Sequence, residues 1–463
     1  MTETTETCTC QDDSGTASCQ PLTQVALAVT LTCPGDYSLT LNTEGDCTPV
    51  LTPCPEPPVN PEPPEPPVPP VPEPPVLNPD KPFDPALLAE GARLNDFTET
   101  VGQRLVVAGK LIHEGKGSGW LVRFSPDYSE VYQKILMQGI TEIDHCVAVG
   151  NNLVATNHNR AVLLDANFSV MRGRALQGID IRDIAATTDA LYFAGTESRL
   201  SPSHPLLARL PQDLAETEVP AVKLVSDTSI MLDLLRALPN GDLVVRLWTD
   251  TLVLFSPDLT MKQAVQLPET VTCIEVDPQG QIYIGSQRYL LKLDSNLTLI
   301  NGLKHELSYA HGLSWQDGQL YAHYGTTSRG EQPAGNDDLV QLQVDCASMT
   351  LKAVQLIARI DDTSFLEDIK ASGHLSNGDR VVVGYRGYVP WGLVNDQPLL
   401  SDASAWQHSE LDPLDFHTFP ASPELTPVEL TFEATTVTLS DYDMLTREPV
   451  LTNSDSTLEV SYR

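Results

Sequence analysis

The chain has 463 residues, of which 41% are hydrophobic, so it can build more core than one ordinary domain contains. Its 28 Lys and Arg residues stand against 62 Asp and Glu residues, which gives a formal net charge of -34. A surface of this charge repels nucleic acid and anionic membranes, so neither is expected as a partner. No apolar run approaches the length of a membrane span, and we expect no membrane insertion.

Residues 1–54 hold six of the nine cysteines, namely Cys8, Cys10, Cys19, Cys33, Cys47 and Cys54. A module this small is poorly stabilised by burial alone, so we predict a disulfide-linked β module that anchors the protein. The six cysteines allow fifteen pairings, and the sequence does not choose among them. A metal cluster and reduced thiols are the alternatives, although the Cys-x-x-Cys spacing of zinc sites is absent.

Residues 55–83 are dominated by proline and glutamate. Proline fixes φ and removes backbone donors, so this segment is predicted to be an extended polyproline II linker. A ligand for an SH3-type domain is the alternative, but no Lys or Arg precedes Lys81. The start of the chain also lacks the basic and apolar stretches of a secretory leader, so no signal peptide is expected.

Residues 84–408 repeat one sequence pattern. In this pattern a polar turn precedes a short apolar strand, and a second apolar strand ends in another turn. Seven copies align on one apolar anchor each, and the anchors are Leu105, Leu153, Leu191, Leu243, Ile282, Leu320 and Val381. The anchors lie 38 to 61 residues apart, so each copy has room for four strands. Repeats of this kind are typical of a β-propeller and too long for the coils of a β-helix.

The predicted fold is therefore all-β: a seven-bladed β-propeller with a small Cys-rich N-terminal β module, a polyproline linker and a short C-terminal β module. A large β-sandwich or a β-helix is the alternative. The remaining cysteines, Cys146, Cys273 and Cys346, lie in or beside predicted strands and are expected to be buried thiols.

An aspartate opens the predicted inner strand of five copies, and these residues are Asp96, Asp144, Asp183, Asp233 and Asp368. They could form an acidic ring around one mouth of the central channel and hold a cation, such as a structural Ca²⁺. The alternative, which we favour, is that each aspartate caps backbone N–H groups of a turn. No other cofactor and no further metal site is expected.

Long insertions between predicted strands are candidates for a binding surface, because binding residues concentrate on loops over a rigid scaffold. Two insertions combine aromatic residues with arginine, a composition that suits carbohydrate or protein contact. The candidate binding residues are Tyr324, Arg329, Tyr385, Arg386, Tyr388 and Trp391. Burial of these aromatics under the loops is the alternative.

Residues 409–463 do not contain the repeated sequence pattern and are strongly acidic. Alternating apolar and polar residues near 428–432, 436–439 and 457–461 predict half-buried strands. We predict a short C-terminal β module. Alternatively, the segment supplies a closing strand to the last blade.

The sequence contains no Gly-x-Ser-x-Gly, no phosphate-binding loop and no His-Glu-x-x-His motif. The region 84–408 resembles NHL-like β-propeller repeat proteins in its Asn-Gly and Asp-Gly turns and in its Leu-x-x-Phe/Leu-x-x-Asp motifs. This resemblance implies a fold and no particular activity. The succession of anchor, stalk and propeller resembles the organisation of tail or appendage proteins of bacterial viruses.

The expected function is that of a non-enzymatic structural or adhesive protein of a virus particle. An extracellular style of architecture without a leader fits delivery in a particle, so the expected location is the virion. The expected partners are other virion proteins and a host-surface glycan or protein, within an oligomeric assembly. The alternatives are a polysaccharide-acting lyase or glycosidase and a bacterial cell-surface scaffold.

Overall fold

The computed structural model describes residues 30–32, 37–40, 51–53 and 92–462, with gaps in the last range at 103, 114–115, 127, 129–130, 139, 198–202, 226–229, 248–249, 306, 308–309, 326–338, 360–367, 387–388, 396, 399–405, 412, 414–417, 443–444, 448 and 455–456. The chain divides into two units, Met1–Pro79 and Asp80–Arg463. The predicted disulfides and the polyproline linker lie outside the described residues. The described part of the first unit is one antiparallel sheet with the strands β1 Thr30–Thr32, β2 Tyr37–Thr40 and β3 Leu51–Pro53.

The second unit is a β-propeller whose first twenty-eight strands follow one another in groups of four. The first two groups are β4 Ala92–Thr100, β5 Arg104–His113, β6 Lys116–Phe124, β7 Val131–Gln138, β8 His145–Val149, β9 Asn152–Asn157, β10 Arg160–Leu164 and β11 Val170–Leu176. The next two are β12 Ile179–Ala186, β13 Leu191–Glu197, β14 Pro205–Leu210, β15 Glu218–Leu224, β16 Leu232–Ala237, β17 Leu243–Leu247, β18 Thr251–Phe255 and β19 Met261–Gln266.

The remaining groups are β20 Val271–Val276, β21 Ile282–Ser286, β22 Tyr289–Leu293, β23 Leu299–Lys304, β24 Ala310–Gln316, β25 Gln319–Gly325, β26 Leu339–Asp345, β27 Thr350–Arg359, β28 Asp368–His374, β29 Arg380–Arg386, β30 Val389–Val394 and β31 Gln397–Pro398. The first strand of each group lies at the centre of the ring. These inner strands contact one another in chain order, and β28 contacts β4, which closes the ring.

The C-terminal strands are β32 Trp406–Leu411, β33 Phe419–Pro420, β34 Thr426–Pro427, β35 Phe432–Asp441, β36 Leu445–Arg447, β37 Pro449–Ser454 and β38 Thr457–Tyr462. Strands β32 to β36 pair in turn with β27, β23, β19, then β15 and β11 together, and finally β7. Residues 406–447 therefore run around the outer rim in the direction opposite to the order of the sheets. We call this segment the rim strap.

The all-β propeller is confirmed, but the predicted seven-bladed form with a separate C-terminal module is wrong. The ring consists of five single blades of four or five strands and one nine-stranded sheet, in the order β12-β13-β14-β15-β35-β11-β10-β9-β8. The cause is β35, which pairs with both β15 and β11 and so fuses two groups of strands. The two edge strands of this sheet, β8 and β12, contact each other, so the sheet nearly closes on itself.

The seam between the first and the last group is held by packing and by side-chain hydrogen bonds. One core cluster includes Leu105 and Val107 of β5 together with Val381 and Val383 of β29. The Tyr128 hydroxyl also donates to the Asp379 carboxylate at 2.7 Å across this seam.

Two kinds of turn recur around the ring. After the inner strand, a glycine with positive φ closes the hairpin, as Gly241 and Gly280 do at 85° and 79°. Between the third and fourth strands, a large residue takes the left-handed conformation instead, and these residues are Tyr128, Phe168, Leu214, Leu259, Leu297 and Met349. Leu297 is typical, with a φ of 58° and 1% exposure. Burial of its side chain offsets the strain of about 1–2 kcal/mol that this conformation causes.

Candidate functional site

The five predicted ring aspartates do not occupy equivalent places on the inner strands. A β-bulge interrupts β4, β12, β16, β20, β24 and β28, and the pairing resumes one residue later. Asp96 and Asp183 both directly follow the bulge, whereas Asp233 and Asp368 precede it. Asp144 lies just before β8. Residues on opposite sides of a bulge, such as Asp183 and Asp233, do not occupy equivalent positions of their strands, so their carboxylates cannot belong to one uniform ring.

The carboxylates of Asp96 and Asp183 tie neighbouring inner strands together. Asp96 accepts hydrogen bonds from the backbone N–H groups of Phe97 and Cys146, each at 2.8 Å. Asp183 accepts from the N–H groups of Ile184 and Leu235, also at 2.8 Å. In each case one donor lies on the same strand and the other on the next inner strand. The bonded N–H groups belong to strands, whereas the sequence analysis favoured N–H groups of turns as the partners of these aspartates.

A charged cluster connects these carboxylates across the channel wall. His145 Nδ1 lies 4.0 Å from Asp96 and 3.6 Å from Asp183, and Arg236 Nη1 donates to Asp183 at 3.0 Å. Burial raises the pKa of Asp96 to about 6, although His145 acts to lower it. Asp183 adds to the rise because it is a second carboxylate nearby.

Asp144 and Asp233 have local partners. The Asp144 carboxylate accepts from the His158 N–H at 3.1 Å, and burial raises its pKa. Asp233 forms a two-point contact with the Arg246 guanidinium, at 2.7 and 2.6 Å. Asp368 belongs to strand β28. The carboxylates of Asp96, Asp144, Asp183 and Asp233 therefore hold backbone N–H groups or arginine side chains in place.

The predicted loop residues are only partly brought to one surface. Tyr324 lies in β25 and is 1% exposed, and its hydroxyl is 2.9 Å from His305 Nε2, so it does not belong to an exposed loop. Tyr385 is partly exposed in β29, with Arg93 and Lys370 over its ring at 4.7 and 4.9 Å. Arg386 and Trp391 belong to β29 and β30, while Arg329 and Tyr388 lie outside the described residues.

An open cleft of about 530 Å³ lies at the face of the propeller that carries the glycine turns. Three successive turns line it, at residues 186–189, 237–241 and 276–278, together with Pro257, Arg209 and His374. His374 ends β28 on the other side of the ring, and its Nδ1 lies 2.8 Å from the Glu275 carboxylate. The cleft therefore reaches the mouth of the central channel. We call it the turn-face cleft.

Backbone hydrogen bonds hold the lining turns in place. The Leu238 N–H donates to the backbone carbonyl of Asp242 at 2.8 Å, and the Gly241 N–H donates to the backbone carbonyl of Leu238 at 2.9 Å. The Asp277 turn repeats this pattern, and the Tyr192 hydroxyl donates to the Pro257 carbonyl at 2.9 Å, which fixes the fourth turn. The turn-face cleft is therefore preformed.

Sequence reasoning did not find this cleft, because its lining comes from ordinary hairpin turns and from residues of several different strands, such as Tyr192, Arg209 and His374. The sequence does signal the Asn-Gly and Pro-Gln-Gly turns that form part of the wall. It gives no sign that these turns and Arg209 share one surface, since that depends on how the blades are stacked.

Within the described part of the chain, no group of three His, Cys, Asp or Glu side chains is placed to hold a metal ion. The three described cysteines, Cys146, Cys273 and Cys346, are buried and form no disulfide, as expected. None of the described residues forms a helix long and apolar enough to cross a bilayer.

No protein-family model and no curated protein matches the chain. Solved propeller structures are similar to it. The Pan2 WD40 domain of Neurospora crassa is 12% identical, with a TM-score of 0.39 over 57% of this chain and 76% of that chain. BamB from Moraxella catarrhalis is 10% identical, with a TM-score of 0.41 over 65% and 84%.

Sqt1 of Chaetomium thermophilum, solved bound to the N-terminus of the ribosomal protein L10, is 11% identical, with a TM-score of 0.43 over 66% of this chain and 97% of that chain. At such identities the likeness concerns the fold alone. Conclusions about this chain therefore rest on its own strands and side chains.

Proposed function

We propose that the propeller is a binding module whose ligand occupies the turn-face cleft. The observation that carries the proposal is the cleft itself, which has a volume of about 530 Å³ and walls fixed by hydrogen-bonded turns. Ligand sites in proteins are commonly preformed concavities of about 300–1,000 Å³ that combine apolar walls with a few polar groups. This cleft fits that description, with Leu238, Pro239 and Pro257 beside Arg209 and Asp189.

In this proposal the chain is a structural or adhesive protein that presents the cleft to a partner. The virion setting, with other virion proteins and a host-surface glycan or protein as partners, is supported by the sequence organisation alone. Mass spectrometry of purified virus particles tests it, since the chain must then be a particle component.

The binding proposal is tested with the full chain and a library of small fragments, using ligand-observed NMR. Thr188 is an exposed residue of the cleft wall, so Thr188→Trp is expected to fill the cleft and abolish binding of most fragments. Asn296→Trp is the matched control, because Asn296 is an exposed turn residue that does not line the cleft. Fragments that bind both variants equally well contradict the proposal.

The sequence also suggested a polysaccharide-acting enzyme, which would use inner-strand carboxylates. Asp183 is engaged by two backbone N–H groups and by Arg236, which suits a structural role. Depolymerisation assays on acidic and neutral polysaccharides decide between the two functions. Turnover that is lost in Asp183→Asn while the fold is kept would replace the binding proposal by an enzymatic one.

A further inference from the structure

Arg209 lies on β14, directly opposite Tyr192 of β13, and lines the turn-face cleft. Its Nε atom is buried and has no hydrogen-bond partner. Tyr192 is 1% exposed and is fixed by its bond to Pro257, so one wall of the site is rigid beside the guanidinium. A buried donor without a partner is costly, and such a group in a cleft invites a ligand that satisfies it.

The lack of a partner for Arg209 is unusual in a chain with 62 acidic and 28 basic residues. Arg236 pairs with Asp183 at 3.0 Å, Arg246 with Asp233 at 2.6 Å, and Arg182 with Asp180 at 2.6 Å. No described carboxylate lies within salt-bridge distance of Arg209. The planar guanidinium has the geometry to hold a carboxylate by two parallel hydrogen bonds.

The rest of the lining carries charge of both signs. Burial acts to lower the pKa of His374, but its contact with the Glu275 carboxylate at 2.8 Å raises the pKa above the ordinary value, which favours the positively charged form of the imidazole. On the other wall, the Asp189 carboxylate accepts no hydrogen bond from a described residue. The net charge of -34 disfavours a ligand with many negative charges, whereas a ligand without net charge is not repelled.

We infer that the turn-face cleft binds a small zwitterion of the amino-acid or short-peptide class, with its carboxylate on Arg209 and its ammonium group at Asp189. This inference rests on the proposed function of the cleft and names its ligand class. Arg209 supplies the two-point contact to the carboxylate, and Asp189 selects against ligands that have only a negative group.

The test is a titration of the full chain with glycine, β-alanine, γ-aminobutyrate, ε-aminocaproate and glycylglycine, followed by NMR. Because these probes differ in the distance between their two charges, one spacing is expected to bind best. Butyrate and butylammonium carry one charge each and are expected to bind more weakly. Arg209→Gln is expected to weaken the best probe about tenfold or more, since it removes a charge-assisted pair.

Asp189→Asn is expected to weaken the best zwitterion and to strengthen the binding of butyrate, because it removes a negative charge that repels a purely anionic ligand. Arg182→Gln is the matched control, because it removes the same charge from the same sheet without touching the cleft lining. Since the buried Nε of Arg209 has no partner, Arg209→Gln is also expected to keep or raise the melting temperature. A lower melting temperature would assign Arg209 to the structure and overturn the inference.

The two proposals can fail separately. A probe that is lost in Thr188→Trp but kept in Arg209→Gln overturns the inference about Arg209 and leaves the cleft as the binding site. Failure of every probe to bind also overturns the inference, while fragments that still distinguish Thr188→Trp from Asn296→Trp preserve the proposed function. If probes and fragments bind Thr188→Trp as well as they bind the wild-type chain, both the inference and the proposed function are overturned.

Discussion

The Asp96 carboxylate makes the stability of the folded chain depend on pH. Its pKa is raised to about 6 by burial, above the ordinary value of 3.8. A group that holds its proton more tightly in the folded state stabilises the fold most below the unfolded pKa, and this stability is lost as the pH rises through the folded pKa. The sensitive window therefore extends from about pH 4 to about pH 7.

Asp96→Asn removes this titration and keeps a neutral group of the same shape. We expect the wild-type chain to lose about 1–3 kcal/mol of unfolding free energy relative to Asp96→Asn between pH 4 and pH 7. Urea denaturation of both proteins across this range measures the difference. A constant difference would show that Asp96 does not titrate in the window, and Asp189→Asn, which changes an exposed carboxylate, is the control.

Leu297 shows a second effect at the scale of one residue, because its backbone is strained and its side chain is buried. Leu297→Ala is expected to lower the unfolding free energy by about 2–5 kcal/mol, since it opens a cavity. Glycine usually destabilises more than alanine, but here it relieves the positive φ, so Leu297→Gly is expected to be at least as stable as Leu297→Ala. Urea denaturation of the two variants gives the order, and the reverse order would mean that the turn is not strained.

The sequence pattern predicts the positions of the repeating strands well, but it does not predict on which side of the β-bulge each aspartate lies. All seven anchors lie in the second strand of their group and are at most 1% exposed, because an apolar run between turn residues is a strong local signal. The position of Asp233 relative to Asp183 depends on a bulge of one residue, which leaves no mark in the sequence pattern. Arg209 likewise stands in an otherwise apolar strand, where nothing local predicts its place in a cleft.

At the scale of elements, β35 is the strand that changes the architecture. Val437 and Leu439 are both 3% exposed and pack into the core of the nine-stranded sheet, while Phe432 contacts the ring of Phe255 in the next blade. Its seven pairs with β15 and three pairs with β11 close a gap between two groups that would otherwise be separate blades.

Leu439→Glu is expected to detach β35, because it places an unpaired charge in an apolar core. Thr438→Glu is the matched control, since Thr438 is the adjacent residue and is exposed. We expect Leu439→Glu to lower the melting temperature strongly and to open the rim strap to limited proteolysis. Equal melting temperatures for the two variants would mean that β35 does not stabilise the sheet.

The rim strap could not be predicted as such from the sequence. Its strands β33 and β34 have two residues each and are exposed, so they carry no hydrophobic periodicity. The alternation in residues 436–439 did indicate a half-buried strand, and β35 is that strand. The sequence does not say which sheet edge each piece of the strap covers, because strand pairing at an edge is set by the path of the chain across the finished surface.

At the scale of the whole molecule, the propeller is a ring held in two independent ways. Inner strands and shared cores join neighbouring sheets from within, including the seam between β28 and β4. The rim strap joins the sheets from outside, from β27 around to β7, but does not cross that seam. Each single sheet therefore has its outer edge covered by the strap, except the last, which ends in β31.

The strap is also the last part of the ring to leave the ribosome. While it is being translated, the strands β7, β11, β15, β19, β23 and β27 are complete but their outer edges lack their final neighbour. Open edges of this kind pair readily with strands of other chains. A nascent or prematurely terminated chain of this protein is thus exposed to aggregation at six outer edges of the ring, and only residues 406–447 remove the hazard.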